Sequence, residues 1–363
     1  MAKRKLIQNQ VMKTIKIKYS SMLWFALPLL LAACKKSDTA SATQTTLPTD
    51  TTKTISSTLI KGADVSWLTQ MEASGYKFYD NNGTAQDCME LLKNKGLNAI
   101  RLRAWVNPTD GWCNTDDLIV KALRAQKLGL KIMIDFHYSD SWADPGKQTK
   151  PAAWQSFNFA SLNNAVGTYT TGVMNALKAK GITPDWVQIG NETDDGMLWE
   201  DGRASKNMAN FANLVSSGYA AVKAVSSTTK VIVHLSNGYN NALFRYMFDG
   251  LKANGAKWDI IGMSLYPTAG NWQTYNQQCL ANMNDMFARY GSPVMIVEVG
   301  MAASDGATCK SFLTDLLTKV STVTSKQGLG VFYWEPEAYS WQGYGLGAFD
   351  NSGKPTVALD AFK

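Results

Sequence analysis

Between residues 59 and 363 the apolar positions gather into eight short runs, at 61–67, 99–105, 131–138, 186–192, 231–235, 260–266, 294–299 and 330–336. The runs are rich in β-branched and aromatic residues and too short for buried helices. They read as strands covered on both faces. Between them, apolar residues recur at helical spacing, as in 88–95, 116–128, 157–180, 208–225 and 311–320. Leu128-Gly129-Leu130 and Lys180-Gly181-Ile182 look like helix ends, with glycine stopping the helix before the next strand. Strand and helix alternating eight times predict one domain of α/β class, a (β/α)8 TIM barrel occupying 59–363.

The polar positions are more telling than the apolar ones, because they cluster at the C-terminal ends of the runs. Asp64 and Trp67 close the first run, and Arg101, Arg103 and Trp105 the second. Asp135, His137 and Tyr138 follow in the third, then Asn191 and Glu192, His234, Tyr266, Glu298, and finally Trp334 and Glu335. In a parallel barrel these ends form one mouth, where catalytic groups sit. Glu192 and Glu298, ending runs four and seven, would meet there, and two facing carboxyls suffice to cut a glycosidic bond. A doubly wound sheet would need a glycine-rich phosphate loop after its first strand, and none is present. The chain also lacks a nucleophile elbow, a P-loop and a His-Glu-x-x-His helix.

Charge and cysteine content narrow the partners. The chain carries 36 basic and 29 acidic residues, a net +7. Lys3, Arg4, Lys5, Lys13, Lys16 and Lys18 precede an apolar stretch at 22–33 that ends in Leu31-Ala32-Ala33-Cys34. Small residues before a cysteine look like the lipobox of a bacterial lipoprotein signal. The expectation is a signal over 1–33, either read from Met1 or started at Met12, and a lipidated Cys34 anchoring the chain in a membrane. Plain secretion is the alternative. Removing the signal takes all six of those basic residues and no acidic ones, leaving a net charge near +1. Such a surface does not call for nucleic acid and suits a neutral glycan. Residues 35–58 are rich in Ser, Thr and Lys with little to bury, a flexible tether. Lys35 and Lys36 point away from inner-membrane retention and towards the outer membrane, on either face. Cys88, Cys113, Cys279 and Cys309 remain; in an exported protein, local bridges Cys88–Cys113 and Cys279–Cys309 are possible. No cofactor, zinc or redox centre is expected, and the protein is expected to act as a monomer.

Asn191-Glu192 after strand four and Glu298 on strand seven resemble the large clan of retaining (β/α)8 glycosidases. The finer match is to glycoside hydrolase family 53, the arabinogalactan endo-β-1,4-galactanases. It rests on Gly62-Ala63-Asp64-Val65-Ser66, Leu102-Arg103-Ala104-Trp105, Asp135-Phe136-His137-Tyr138-Ser139-Asp140-x-Trp142-Ala143-Asp144-Pro145 and Gln188-Ile189-Gly190-Asn191-Glu192. The resemblance covers the chain after the tether and implies internal cleavage of β-1,4-galactan. Some bacterial members hold calcium after strand eight. Here Glu337 is the sole carboxylate of 336–346, so calcium is not carried over.

The resemblance implies that Glu298 is the nucleophile and Glu192 the acid/base, roughly 5–5.5 Å apart as retention requires. Glu200 reads as a rim residue, and Glu335 as a rival that would bind a hydroxyl. Asn191 suits the sugar 2-hydroxyl. Arg103 is expected to approach Glu298, or to pair with Asp64 or Asp135, and Tyr266 to donate to Glu298. His137 and His234 read as site-lining hydrogen bonders. Trp105, Trp142, Trp199, Trp334 and Trp341 fall at strand ends or loops suited to lining a groove, with Trp334 as its floor. Asp64 and Asp140 complete the expected sugar-contacting set, with Asp144 and Gln148 near Trp142. Two further readings fit the same sequence. One is a barrel endo-glycanase on another β-1,4-glycan such as mannan or glucan; the other is a lipid-anchored glycan-binding protein without catalysis.

Overall fold

The computed structural model describes residues 59–363. The expected signal, Cys34 and the tether lie outside the described residues. Eight strands, β1 (Ile60–Asp64), β2 (Ala99–Ala104), β3 (Lys131–Phe136), β4 (Trp186–Ile189), β5 (Lys230–Leu235), β6 (Ile260–Leu265), β7 (Val294–Val299) and β8 (Gly328–Trp334), pair in parallel with their neighbours. β8 returns to β1, so the barrel closes. The helices are α1 (Leu68–Ala73), α2 (Cys88–Asn94), α3 (Thr115–Lys127), α4 (Phe159–Ala179), α5 (Met208–Val225), α6 (Asn241–Ala253), α7 (Trp272–Tyr290) and α8 (Gly306–Thr322). Most begin on a short polar cap. Asp87, Asn114, Asn158, Asn207, Asn240 and Asp305 each accept from the backbone N–H three residues on, an interaction worth about 1 kcal/mol. Gly129 and Gly181 follow α3 and α4 as expected.

All eight apolar runs are strands, but several end earlier than the pattern implied. Tyr138, Glu192 and Glu335 have φ of +49°, +46° and +48°. A left-handed residue cannot continue a ladder, so the chain has already turned where its composition still reads as strand.

Two cores hold the barrel. The larger packs the outer strand faces against the helices. The smaller takes Ile60, Ala99, Met133, Trp186, Ile232, Ile260, Met295, Val297 and Phe332, with every strand represented, and fills the barrel's interior. Two residues further along the strands the inward positions turn polar: Arg101 above Ala99, Asp135 above Met133, Gln188 above Trp186 and His234 above Ile232. β7 breaks this alternation. Met295 and Val297 face inward, yet Glu298 also reaches the interior, because the register against β6 and β8 shifts along this strand.

The four cysteines are free and buried. The possible bridges are absent; Cys309, for example, packs against the Tyr333 hydroxyl at 3.7 Å.

Candidate active site

Arg101 organises the mouth of the barrel. It is fully buried, and its Nη1 lies 2.8 Å from Asp64 Oδ2. Its Nη2 lies 2.8 Å from Asp135 Oδ2 and 2.8 Å from Glu298 Oε1. The same nitrogen donates to Gln188 Oε1 at 3.1 Å and to Asn191 Oδ1 at 3.0 Å. With those acceptors competing, the contact to Glu298 is an ion pair without the alignment of a hydrogen bond. Burial pushes Asp135 up, but Arg101 and then His137 outweigh it and hold this carboxyl below its ordinary value.

The expectation that Arg103 approaches Glu298 is therefore corrected. Both arginines share the inward face of β2, but Arg101 is one layer deeper and reaches all three carboxyls. Arg103, nearer the rim, pairs with Glu335 Oε1 at 3.1 Å, and its guanidinium carbon lies 4.1 Å from the centre of the Trp142 ring. Glu335 is likewise committed, since its Oε2 accepts from the Trp67 N–H at 3.1 Å. Glu337 is buried beside it. Burial and then Glu335 push the Glu337 carboxyl well above its ordinary range. Glu200 is exposed and bound to Arg203 and Lys206, a rim residue as expected.

The two principal glutamates have unequal surroundings. Glu298 is 5 % exposed and accepts from the Tyr266 hydroxyl at 2.9 Å. Burial raises its pKa to about 7 against the opposing pull of Arg101. Glu192 sits in the turn after β4. There a Cβ on Gly190 would come within 2.5 Å of Thr193 Cγ2, so only glycine admits the tight path. Burial, and next the charge of Glu298, raises Glu192 well above the carboxylate range. Of the pair, Glu192 keeps the proton, because Glu298 has the cation and the phenol.

Polar neighbours fix these groups. Asn191 Nδ2 donates to the Ala143 carbonyl at 2.9 Å. His137 Nε2 lies 3.0 Å from Asp135, and its Nδ1 accepts from the Ala143 N–H at 3.0 Å. His137 thus pins the loop after β3. His234 is fully buried, between Asn191 and the Ser264 hydroxyl. Gln148 latches two loops together: its Nε2 donates to the Asn191 carbonyl at 2.8 Å, while the Trp199 N–H donates to its backbone carbonyl at 2.7 Å.

Aromatic rings make the walls. Trp334 meets Trp67 at 5.1 Å, Tyr344 at 5.0 Å and Trp142 at 5.8 Å between ring centres, all edge-on. Trp142 and Trp334 are half-buried and lie in this aromatic wall, whereas Trp105 is nearly covered and packs on Trp142 at 5.2 Å. Two other expectations are corrected. Trp341 is buried edge-on against Tyr76 at 5.3 Å, because the segment after β8 packs on residues 76–78, which follow α1. Asp140 spends both oxygens on the N–H groups of Asn107 and Ala152, bracing loops. Trp199 is half-buried, with the Arg203 guanidinium carbon 3.9 Å from its ring centre. The expected sugar contact of Asp64 is corrected as well: it is fully buried, with its oxygens spent on Arg101 and Ser66. Sequence reasoning did not single out Ser264, Gln188, Tyr344 or the central place of Arg101. Strand parity marks Arg101 and Gln188 as inward, but nothing in the pattern marks Ser264. Among the described residues, no group of three or more His, Cys, Asp or Glu side chains is placed to hold a metal ion.

This constellation can be set beside known proteins. The model of the family described as Glycosyl hydrolase family 53 matches residues 60–362. The chain belongs to this family. The match runs from β1 to the last turn of the chain and so takes in every strand of the barrel and both principal glutamates. An arabinogalactan endo-β-1,4-galactanase of Thermothelomyces thermophilus is 32% identical over 84% of this chain and 98% of its own. A probable arabinogalactan endo-β-1,4-galactanase A of Neosartorya fischeri is 33% identical over 80% and 87%. A solved fungal β-1,4-galactanase superposes with a TM-score of 0.77 at 32% identity, covering 84% of this chain and 99% of that one.

Proposed function

We propose that this glycosyl hydrolase cuts β-1,4-galactosidic linkages within galactan and type I arabinogalactan, with retention of configuration. Glu298 is the nucleophile and Glu192 the acid/base. The observation that carries the assignment is the unequal environment of the two carboxyls. Glu298 receives Arg101 and the Tyr266 hydroxyl, both of which favour its charged form, whereas Glu192 is pushed towards its protonated form. Membership of the family, and the galactanase names of relatives that align along most of their length, support the choice of substrate.

In the first step a Glu298 oxygen attacks the anomeric carbon, the glycosidic bond breaks, and the Glu192 proton goes to the departing oxygen. In the second, Glu192 takes a proton from water, the hydroxide oxygen attacks the anomeric carbon, and Glu298 leaves as carboxylate. Asn191 has one amide hydrogen committed to Ala143, and the other is left for the 2-hydroxyl. The exposed parts of Trp334 and Trp142 offer flat apolar faces to galactose rings. Export and acylation at Cys34, with attachment to the outer membrane, belong to the same proposal; a Cys34→Ser variant would then leave the membrane fraction.

The test is digestion of linear β-1,4-galactan beside mannan, xylan and cellulose, with product lengths followed over time and the anomer first formed read by proton NMR. Mixed short galacto-oligosaccharides with β configuration are expected from galactan alone. Preferred release from mannan or cellulose, or binding of galactan without new reducing ends, overturns the proposal.

A further inference from the structure

Arg103 is a buried cation most of whose donors meet no oxygen. It is fully buried, and of its guanidinium nitrogens only Nη1 has a partner, Glu335 Oε1 at 3.1 Å. Nε and Nη2 are covered and without an acceptor. What covers them is aromatic. The guanidinium carbon lies 4.1 Å from the ring centre of Trp142, 5.0 Å from that of Trp105 and 5.7 Å from that of Trp67. At the shortest of these distances the cation lies over the Trp142 face, because an approach in the ring plane is held off by the ring's own edge. The three rings are themselves edge-on, with Trp142 at 5.4 Å from Trp67 and 5.2 Å from Trp105, and so they form a cage. The negative faces of such rings replace the water that burial removed from the cation. Only a flat guanidinium can lie on an indole while its edge meets a carboxylate; an ammonium at this position must give up one contact.

The cage is tied to the half-buried rings of the wall. Glu335, the counterion, accepts the Trp67 N–H on its other oxygen and directly follows Trp334 in the chain. Trp334 in turn meets Trp67 and Trp142 edge-on, at 5.1 and 5.8 Å. One ion pair thus reaches Trp142 through its face, and Trp334 through the chain and through Trp67. We propose that Arg103, paired with Glu335, is a positioning residue that presets the tilt of Trp142 and Trp334, so that galactan meets a wall already in place. It governs how tightly the polymer is held and leaves the proton chemistry alone. The two arginines of β2 divide the work: Arg101 pairs with Glu298, whereas the carboxylate of Arg103 is Glu335. The inference rests on the wall as the sugar-binding surface, but its first test requires no activity.

With 15N-arginine labelling of the full chain, ring currents should move the guanidinium N–H protons of Arg103 upfield of the other arginines, and burial should slow their exchange with water. Trp142→Ala should return them towards the ordinary position. Arg103→Lys keeps a charge for Glu335 but gives up the flat contact with Trp142. On linear galactan its KM should rise about 3–10-fold, which is the cost of ordering a released ring as the sugar binds. Turnover at saturation and both limbs of the pH profile should stay in place, a split that a general loss of stability would not produce. In a Trp142→Ala background, Arg103→Lys should raise KM no further, because the ring it acts on is gone. An unchanged KM, a fall in kcat alone, a displaced limb, or an undiminished effect in the double variant would overturn the proposal. So would arginine resonances that all sit at ordinary shifts and exchange rapidly, a measurement that decides the matter if Arg103→Lys does not fold. A wild-type chain that releases nothing from galactan would instead refute the choice of substrate while leaving the shifted resonance standing.

Discussion

Replacing Tyr266 by Phe removes one hydroxyl and isolates one interaction. That hydroxyl donates to Glu298 Oε2 at 2.9 Å, and burial followed by the charge of Glu298 holds the phenol well above its ordinary pKa, so it remains a donor. A hydrogen bond to a charged acceptor is worth about 1.5–3 kcal/mol. One pKa unit corresponds to about 1.36 kcal/mol, so losing the bond should raise the proton affinity of Glu298 by about 1–2 units. Glu298 is already raised to about 7, and it titrates with Glu192. The acid limb of kcat/KM reports the lower macroscopic pKa of this pair. In Tyr266→Phe it should move to higher pH by about 1–2 units, with turnover below the limb falling about 10–100-fold. The ring and its packing remain, so the unfolding free energy should fall by no more than the bond itself, about 1.5–3 kcal/mol. The assay is initial rates on linear galactan from pH 4 to 9, with denaturant unfolding in parallel. An acid limb that stays at its wild-type position refutes the claim that this phenol stabilises the Glu298 charge. A uniform loss at every pH would point to a contact with sugar instead.

Two further outcomes are expected. Arg101→Met leaves Asp64, Asp135 and Glu298 buried without their shared cation, and should lower the unfolding free energy at pH 7 by about 3–5 kcal/mol, less at pH 4 where carboxyls take up protons; denaturant melts at both values check this. Glu337→Gln should stabilise the protein: a folded-state pKa above the unfolded value costs stability as pH rises past the unfolded pKa, so the variant's advantage should be nil in acid and grow towards neutrality in thermal melts.

Much of this site was legible because a barrel strand is short, apolar and closed by whatever the mouth requires. Composition located all eight strands, and the two glutamates stood out as charges ending buried runs. Depth was not legible. Arg101 and Arg103 have the same parity on β2, and which one reaches Glu298 depends on strand stagger and side-chain length. The inward turn of Glu298 contradicts strict alternation from Val297 and depends on a register shift between strands. Trp341 and Asp140 have the composition of groove residues, but tertiary packing gives them structural work. Ser264 gave no signal, since a serine on a strand has no fixed partner until neighbouring strands supply one.

The Gln148 latch has a consequence for anyone reshaping the groove. Because this one residue bonds to the backbone at Asn191 and at Trp199, the segments following β3 and β4 are coupled at their tips. Exchanging either segment alone for that of a related enzyme would strand half of the joint and loosen the turn carrying Glu192. A chimera intended to alter substrate preference should therefore transplant both segments together.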